Sequence, residues 1–285
     1  MVGLKVGGVP EHFNLPWRLA IEDGKFREFG LNLHWADMGG GTGQMIRGLE
    51  TKSIDIAVLL TEGCTKAILQ GLDATIVQVY VTSPLHWGVH VPYTSDIQSI
   101  EDLKDKTYAI SREGSGSHLM SYVLSHQQGW PTDNLKFNVV GDIYGGLWAL
   151  ENNEAQAFLW EKYTTYPFTE QKKCRYVEEV VTPWPCFVIA VRNEVLDEHK
   201  DLIDKMCLVV NKRAGEMLTD PNIIDIISWR YNLRSSHVQN WLNETVWNYE
   251  GIEYPLAFNK VVNYLKMLNL ISDEEGEDWR EKLFK

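Results

Sequence analysis

Small residues crowd one stretch, SREGSGSHLM (Ser111 to Met120), where the apolar run Thr107 to Ile110 gives way to helical spacing. Three kinds of chemistry use such a turn. A phosphate loop needs Gly-Lys-Ser/Thr, so that a lysine reaches the terminal phosphate, and no such lysine is present. A nucleophile elbow needs G-x-S-x-G, whereas the chain reads G-S-G-S. What remains is a turn that cradles a ligand. Gly114 and Gly116 let the backbone approach closely, and Ser115 and Ser117 offer hydroxyls. A helix capped by Ser117 would aim its unpaired N–H groups and partial positive charge at a polar or anionic group. The same residues also suit a plain serine-capped helix start.

Two carboxylates stand just past apolar runs: Glu62, beside Thr61, and Glu161, beside Trp160. Each can accept hydrogen bonds from a ring amine or pair with a cation. Glu62 would equally suit the first turn of a helix, where the dipole favours an anion. Paired carboxylates can do acid–base work, but no nucleophile or metal ligand accompanies them, so no catalytic residue is assigned. GGGTGQM (Gly39 to Met45) is a second flexible turn, in which Thr42 is a candidate contact. It lacks the G-x-G-x-x-G register of dinucleotide binding, and no cofactor is expected.

Aromatic residues at turns and strand ends can sandwich a flat ligand. Phe13, Trp87, Tyr144, Trp160, Tyr163 and Trp184 fall at such places, whereas Trp148, Trp229, Trp241 and Trp247 fall in helical patterns and read as packing. His12 and Asn14 in PEHFN, and His86 in SPLHW, lie in expected loops and can touch a polar ligand. His86 and His90 would sit too far apart along a strand to share an ion. Cys64, Cys174, Cys186 and Cys207 form no C-x-x-C pair, so no metal site is expected.

The elements that would position these groups alternate. Strands are expected at Leu4 to Gly7, Leu31 to Trp35, Ile54 to Leu59 and Ala74 to Val81, with helices at Leu15 to Glu28, Gly43 to Thr51 and Glu62 to Gln70. The last of these is closed by Gly71. The pattern restarts with strands at Thr107 to Ile110, Leu135 to Val140 and Ala155 to Leu159. Helices are expected there at Ser117 to Gln128, Tyr144 to Asn152 and Thr164 to Gln171. Strands at Arg175 to Val181 and Phe187 to Val191 precede a helical remainder that ends in a helix over Asp273 to Leu283. Such alternation predicts mostly parallel sheets flanked by helices. MIRGLETKSIDIAVLLTEG (Met45 to Gly63) echoes GGLWALENNEAQAFLWEKY (Gly145 to Tyr163). The echo sets Thr61-Glu62 and Trp160-Glu161 at equivalent carboxyl ends of strands, where open α/β sheets bind ligands.

With 44% hydrophobic residues over 285 positions, the chain can bury one large core or two. A formal net charge of -12 repels phosphate backbones and anionic membrane surfaces, so no nucleic-acid partner is expected. No run approaches the roughly 20 apolar residues of a membrane span. Met1 leads almost at once into LKVGGV, without a basic and then apolar leader, so a cytoplasmic location is expected, or a periplasmic one if a leader has been removed. The acidic run near the C-terminus, in SDEEGEDWREKLFK, reads as a solvated face.

The loop and helix PEHFNLPWRLAIEDGKFREFGLNL resembles the opening of type II periplasmic-binding-protein folds. The resemblance is narrower with the branch that includes nitrate, alkanesulfonate, taurine and thiamine-pyrimidine binding proteins. Ala20, Glu22, Gly24, Phe26, Gly30 and Leu31 carry its first motif, Asp55 and Ala57 its second, and SIEDLKDKTYAI resembles its lead into the second lobe. Asp105 stands where that branch usually has glycine. The resemblance implies an α/β fold of two lobes, each a mostly parallel sheet flanked by helices, with a ligand cleft between them. Lobe 1 would comprise residues 1–90 and 187–285 and lobe 2 residues 91–186, with crossings near Gly88 to Val91 and Pro185 to Ile189. It implies a small-molecule ligand, with a heteroaromatic of the thiamine-pyrimidine type ranked ahead of a small sulfonate. Exported members of the branch serve an ABC transporter; a chain without a leader has no need of one, and both arrangements stay open, as does oligomeric state. Two further readings stand beside this one: an enzyme making a vitamin precursor on the same scaffold, and a module whose acidic helical C-terminal third docks a partner.

Overall fold

The computed structural model describes residues 1–250 and 255–284. The chain forms two compact units, the first from Met1–Pro84 and the segment from Pro183 onward, the second from Leu85–Thr182. In chain order the first unit contributes β1 (Val2–Gly8), α1 (Leu15–Glu22), β2 (Leu31–Asp37), α2 (Thr42–Glu50), β3 (Ile56–Leu60), α3 (Thr61–Leu69) and β4 (Ala74–Val81). The second unit holds β5 (His86–Pro92), β6 (Thr107–Ile110), α4 (Gly116–Gln127), β7 (Lys136–Val139), α5 (Ile143–Glu151), β8 (Ala157–Glu161), α6 (Lys162–Glu170) and β9 (Cys174–Val181). The chain then returns with β10 (Phe187–Arg192), α7 (Asn193–Leu218), α8 (Ile223–Tyr231), α9 (Ser235–Glu244), α10 (Pro255–Met267) and α11 (Trp279–Leu283). Among the described residues no helix is long and apolar enough to cross a membrane.

Each unit is a five-stranded mixed sheet with helices against it. The first runs β2-β1-β3-β10-β4, with β1 parallel to β2 and β3, and β10 antiparallel to β3 and β4. The second runs β7-β6-β8-β5-β9, with β6 parallel to β7 and β8, and β5 antiparallel to β8 and β9. In each sheet four of the five strands run the same way, as expected, and one reversed strand, inserted at the same place in each, makes the sheet mixed. β3 (IAVLL) and β10 (FVIAVR) lie inside their sheet and are covered on both faces, which is why they read as continuous apolar runs.

Several boundaries differ from the sequence expectation, each for a local reason. The helix expected over Leu15 to Glu28 stops at Glu22; Gly24 (φ 68°) and Gly30 (φ 81°) take left-handed conformations that bracket a short 3-10 turn. His86 and Trp87, expected in a loop, open β5, whose pairing on both sides makes it a full member of the second sheet. The division between units accordingly falls at Pro84/Leu85 and Thr182/Pro183, ahead of the expected 91 and 186. The helix expected over Asp273 to Leu283 is confined to α11. Asp105 adopts φ 62°, so the turn keeps the left-handed backbone that the resembling branch supplies with glycine. Lys52 after α2 and Asn153 after α5 share this conformation, at φ 58° and 56°, which extends the echo between the units to backbone detail.

The second unit's core gathers Ala109, Leu147, Ala149, Leu150, Ala155, Phe158 and Cys174. Gly146 lets α5 lie directly on Phe158: a Cβ at that position would stand 2.5 Å from the ring carbon Cζ. Alanine there gains about 1 kcal/mol of helix propensity but must displace a buried ring, at a cost of about 1–3 kcal/mol. Gly146→Ala is expected to lower the urea midpoint, and a midpoint that rises would show that the ring yields freely.

Candidate functional site

The carboxyl ends of β1, β2 and β3 gather one set of candidate residues in the first unit. Past β1, His12–Asn14 form a 3-10 turn whose three side chains are all buried. Burial alone holds the His12 imidazole neutral, with its pKa lowered to about 3. The Phe13 carbonyl accepts from Tyr80 Oη at 2.8 Å and from Trp247 Nε1 at 3.1 Å, and its ring packs on Phe187 at 5.1 Å. Asn14 Nδ2 donates to the Val9 carbonyl at 2.9 Å. Past β2, Thr42 opens α2 and its hydroxyl accepts from the Leu60 amide at 3.3 Å. The starts of α2 and α3 approach this closely because residue 63 is glycine; a Cβ on Gly63 would stand 2.5 Å from Thr42 Cγ2.

Past β3 come Thr61 and Glu62, both buried in the first turn of α3. The Thr61 amide donates to the Cys186 carbonyl at 3.0 Å. Glu62 Oε2 accepts from Trp184 Nε1 at 2.9 Å, and the Trp184 ring meets Tyr264 edge-on at 5.3 Å. Burial raises the Glu62 pKa to about 7, against the opposing effect of hydrogen bonds from its own backbone and from Trp184. Among the described residues, four side-chain atoms on these loops have no hydrogen-bond partner: His12 Nε2, Asn14 Oδ1, Thr61 Oγ1 and Glu62 Oε1. Each such buried atom costs about 1–3 kcal/mol. They lie on the segments that follow β1 and β3, two adjacent parallel strands, at the sheet edge where open α/β sheets bind ligands.

The corresponding edge of the second sheet is built differently. Ser115, not Ser117, caps α4: its Oγ accepts from the His118 amide at 3.3 Å and lies 3.0 Å from Ser117 Oγ. Ser117 Oγ also accepts from the Ser111 amide at 3.0 Å, and the Gly114 amide donates to His118 Nδ1 at 2.9 Å. Both hydroxyls are thus engaged within the turn, which follows the left-handed Gly114 (φ 72°). Glu161 turns back on α6, its Oε1 accepting from the Tyr163 amide at 3.1 Å and its Oε2 from the Thr164 amide and hydroxyl, each at 2.7 Å. Burial nevertheless raises its pKa. Beside it in register stands Trp87, buried, with Nε1 unpartnered. His86 Nδ1 lies 3.3 Å from Glu179, which also pairs with Lys162 at 2.8 Å.

The two carboxylates are therefore not equivalent. The residue preceding the helix is Leu60 in α3 and Glu161 in α6, so Glu62 stands one step inside its helix where Glu161 stands before it. Trp160 packs with Phe158 at 5.3 Å against the second unit's core, and Tyr144, 68% exposed, meets Phe168 edge-on at 6.0 Å. Two tryptophans expected in packing are exposed, Trp148 at 54% and Trp229 at 84%, because α5 and α8 carry apolar residues beyond the face they bury. Trp241 and Trp247 are buried, as their apolar spacing suggests, though Trp247 lies past the end of α9 in a bridge to Val81.

Residues 87–180 match the family described as Ca3427-like PBP. No curated protein matches the chain. The chain is similar to the solved structure of the Candida albicans CA3427 gene product, described as having the generic periplasmic-binding-protein fold. That likeness has a TM-score of 0.91 at 25% identity and covers 100% of this chain and 96% of the other. It is similar in fold to the alkanesulfonate-binding protein SsuA of Xanthomonas axonopodis pv. citri bound to MOPS, with a TM-score of 0.79, 15% identity and 96% of both chains covered. It is similar likewise to the nitrate-binding protein NrtA of Synechocystis PCC 6803, with a TM-score of 0.69 and 14% identity over 98% of this chain and 88% of the other. The twin mixed sheets, each with its reversed strand, agree with these likenesses: the chain has the type II periplasmic-binding-protein fold, and nearly the whole of its second unit is similar to the Ca3427-like family.

Proposed function

We propose that the chain binds a small heteroaromatic amine, of the thiamine-pyrimidine type, at the carboxyl edge of the first unit's sheet. The observation that carries this is Glu62: a buried carboxyl with one oxygen on Trp184 and the other, like the hydroxyl of the adjacent Thr61, unpartnered among the described residues. An aminopyrimidine presents ring-nitrogen acceptors and an exocyclic amine donor. Glu62 Oε1 accepts from an amine or, when protonated, donates to a ring nitrogen, and Thr61 Oγ1 does either. His12, neutral, adds no charge that would call for an anion. The aromatic surroundings of Phe13, Phe187 and Trp184 suit a flat ring.

A second reading is a small sulfonate or similar anion at the start of α4. It is favoured by the helix N-terminus after β6, with Arg112 in the same turn, and by solved structures of similar fold described as sulfonate- and nitrate-binding proteins. The engaged hydroxyls of Ser115 and Ser117 weigh against it.

A thermal-shift panel of the pyrimidine and thiazole halves of thiamine, taurine, alkanesulfonates and nitrate separates the two. A ligand at 100 times its Kd adds about 2.7 kcal/mol, which for a chain of this length raises Tm by roughly 5–10 °C. The pyrimidine half is expected to give that shift; a shift with sulfonates alone would move the site to α4. Glu62→Gln is expected to weaken pyrimidine binding at least tenfold, and unchanged affinity would remove Glu62 from the site.

Glu62 also sets the sign of a pH effect. The folded chain holds a proton up to about pH 7 that the unfolded chain releases near its ordinary value of 4.5. This group's contribution to stability is therefore whole below about 4.5 and is lost as pH rises through about 7. The difference corresponds to about 3 kcal/mol. In urea titrations at pH 5 and pH 8, Glu62→Gln is expected to show a smaller drop than the unaltered chain. An equal drop would assign the effect to other buried acids, Glu161 first.

A further inference from the structure

One further buried polar atom, beyond the four named above, belongs with the His12 turn, and it comes from the C-terminal helices. Trp241 of α9 sets its ring edge-on to His12, with centres 4.2 Å apart and planes at 72°, and edge-on to Phe13 at 5.1 Å. Tyr231, at the end of α8, makes a further edge-on contact with His12 at 5.8 Å. Two other polar rings of this cage are satisfied, since Tyr80 Oη and Trp247 Nε1 both donate to the Phe13 carbonyl. Those two bonds occupy both lone pairs of that oxygen, so it cannot serve Trp241. Among the described residues Trp241 Nε1 and His12 Nε2 have no partner, in residues only 1% and 2% exposed.

An indole N–H only donates, whereas a neutral imidazole nitrogen donates or accepts. We propose that Trp241 and His12 together read one edge of the bound heteroaromatic, the indole N–H donating to a ring nitrogen or carbonyl-type oxygen while His12 Nε2 bonds the neighbouring polar group. The inference rests on the reading of the site given above and deepens it. It gives α9 a part in ligand selection and favours ligands with an acceptor on that edge over flat rings without one. Trp241→Phe keeps the ring and its packing while deleting the donor, so it separates hydrogen bonding from bulk.

The test is a titration of the full chain, labelled with 15N in its indole nitrogens, with thiamine's pyrimidine half. The Trp241 N–H resonance, identified by its loss in Trp241→Phe, is expected to move, while that of the exposed Trp229 stays. By calorimetry Trp241→Phe is expected to bind the pyrimidine about tenfold more weakly, with the Tm measured without pyrimidine unchanged or raised. His12→Phe asks the same question from the partner side and carries the test if Trp241→Phe does not fold. Undiminished binding by these variants, with an unmoved resonance, overturns the inference and leaves the site reading in place. Failure of the unaltered chain to bind the pyrimidine overturns both.

Discussion

Each sheet depends on one strand that runs against its neighbours. β10 lies between β3 and β4 in the first unit and β5 between β8 and β9 in the second, each hydrogen-bonded on both sides. Without β10, β3 and β4 would face each other across an empty lane of unpaired backbone groups, whose desolvation no side chain could offset. The inserted strand also positions the chemistry. The start of β10 brings Phe187 opposite Leu60, so that the Cys186 carbonyl takes the Thr61 amide and Trp184 reaches Glu62. The start of β5 likewise sets Trp87 opposite Glu161.

The twin carboxylates show how a shared plan diverges. In the second unit Glu161 stands before the helix and spends both oxygens on the amides of its first turn, a capping arrangement that satisfies the end of α6. In the first unit the apolar Leu60 takes the equivalent place, and the acid stands further along, where the Trp184 indole meets one of its oxygens. Glu161 is thus closed on its own helix, whereas Glu62 keeps unspent hydrogen-bonding capacity. The SGS turn belongs with the closed kind, because its two serines bond to each other and to nearby backbone.

Much of this was legible in the chain. The alternation of apolar runs with helical spacing located nearly every strand, and the echo located the strand ends where Thr61, Glu62 and Glu161 sit. β5 was legible only as a crossing near Gly88 to Val91, because HWGVHVP carries two histidines and a glycine. Its strand character comes from burial between two partners, with His90 held by Thr165 and Phe158 in the space that Gly88 leaves. Trp241 escaped for a different reason: apolar spacing announces that a tryptophan is buried but is silent on whether its N–H finds a partner. Glu161 could be placed at a strand end, but not its direction, since a carboxylate there serves a ligand or its own helix with equal ease.

The position of β10 has a consequence in time. The second unit is one uninterrupted stretch, Leu85–Thr182, and on a ribosome it has everything it needs while the chain is still growing. The first unit's opening strands emerge earlier yet must wait for Phe187–Arg192 before β3 and β4 can be joined. Until then the apolar edges of IAVLL and ATIVQVYV stand bare, the condition in which edge strands seek foreign partners. The unit whose first strands are made earliest is thus the unit whose sheet is completed last.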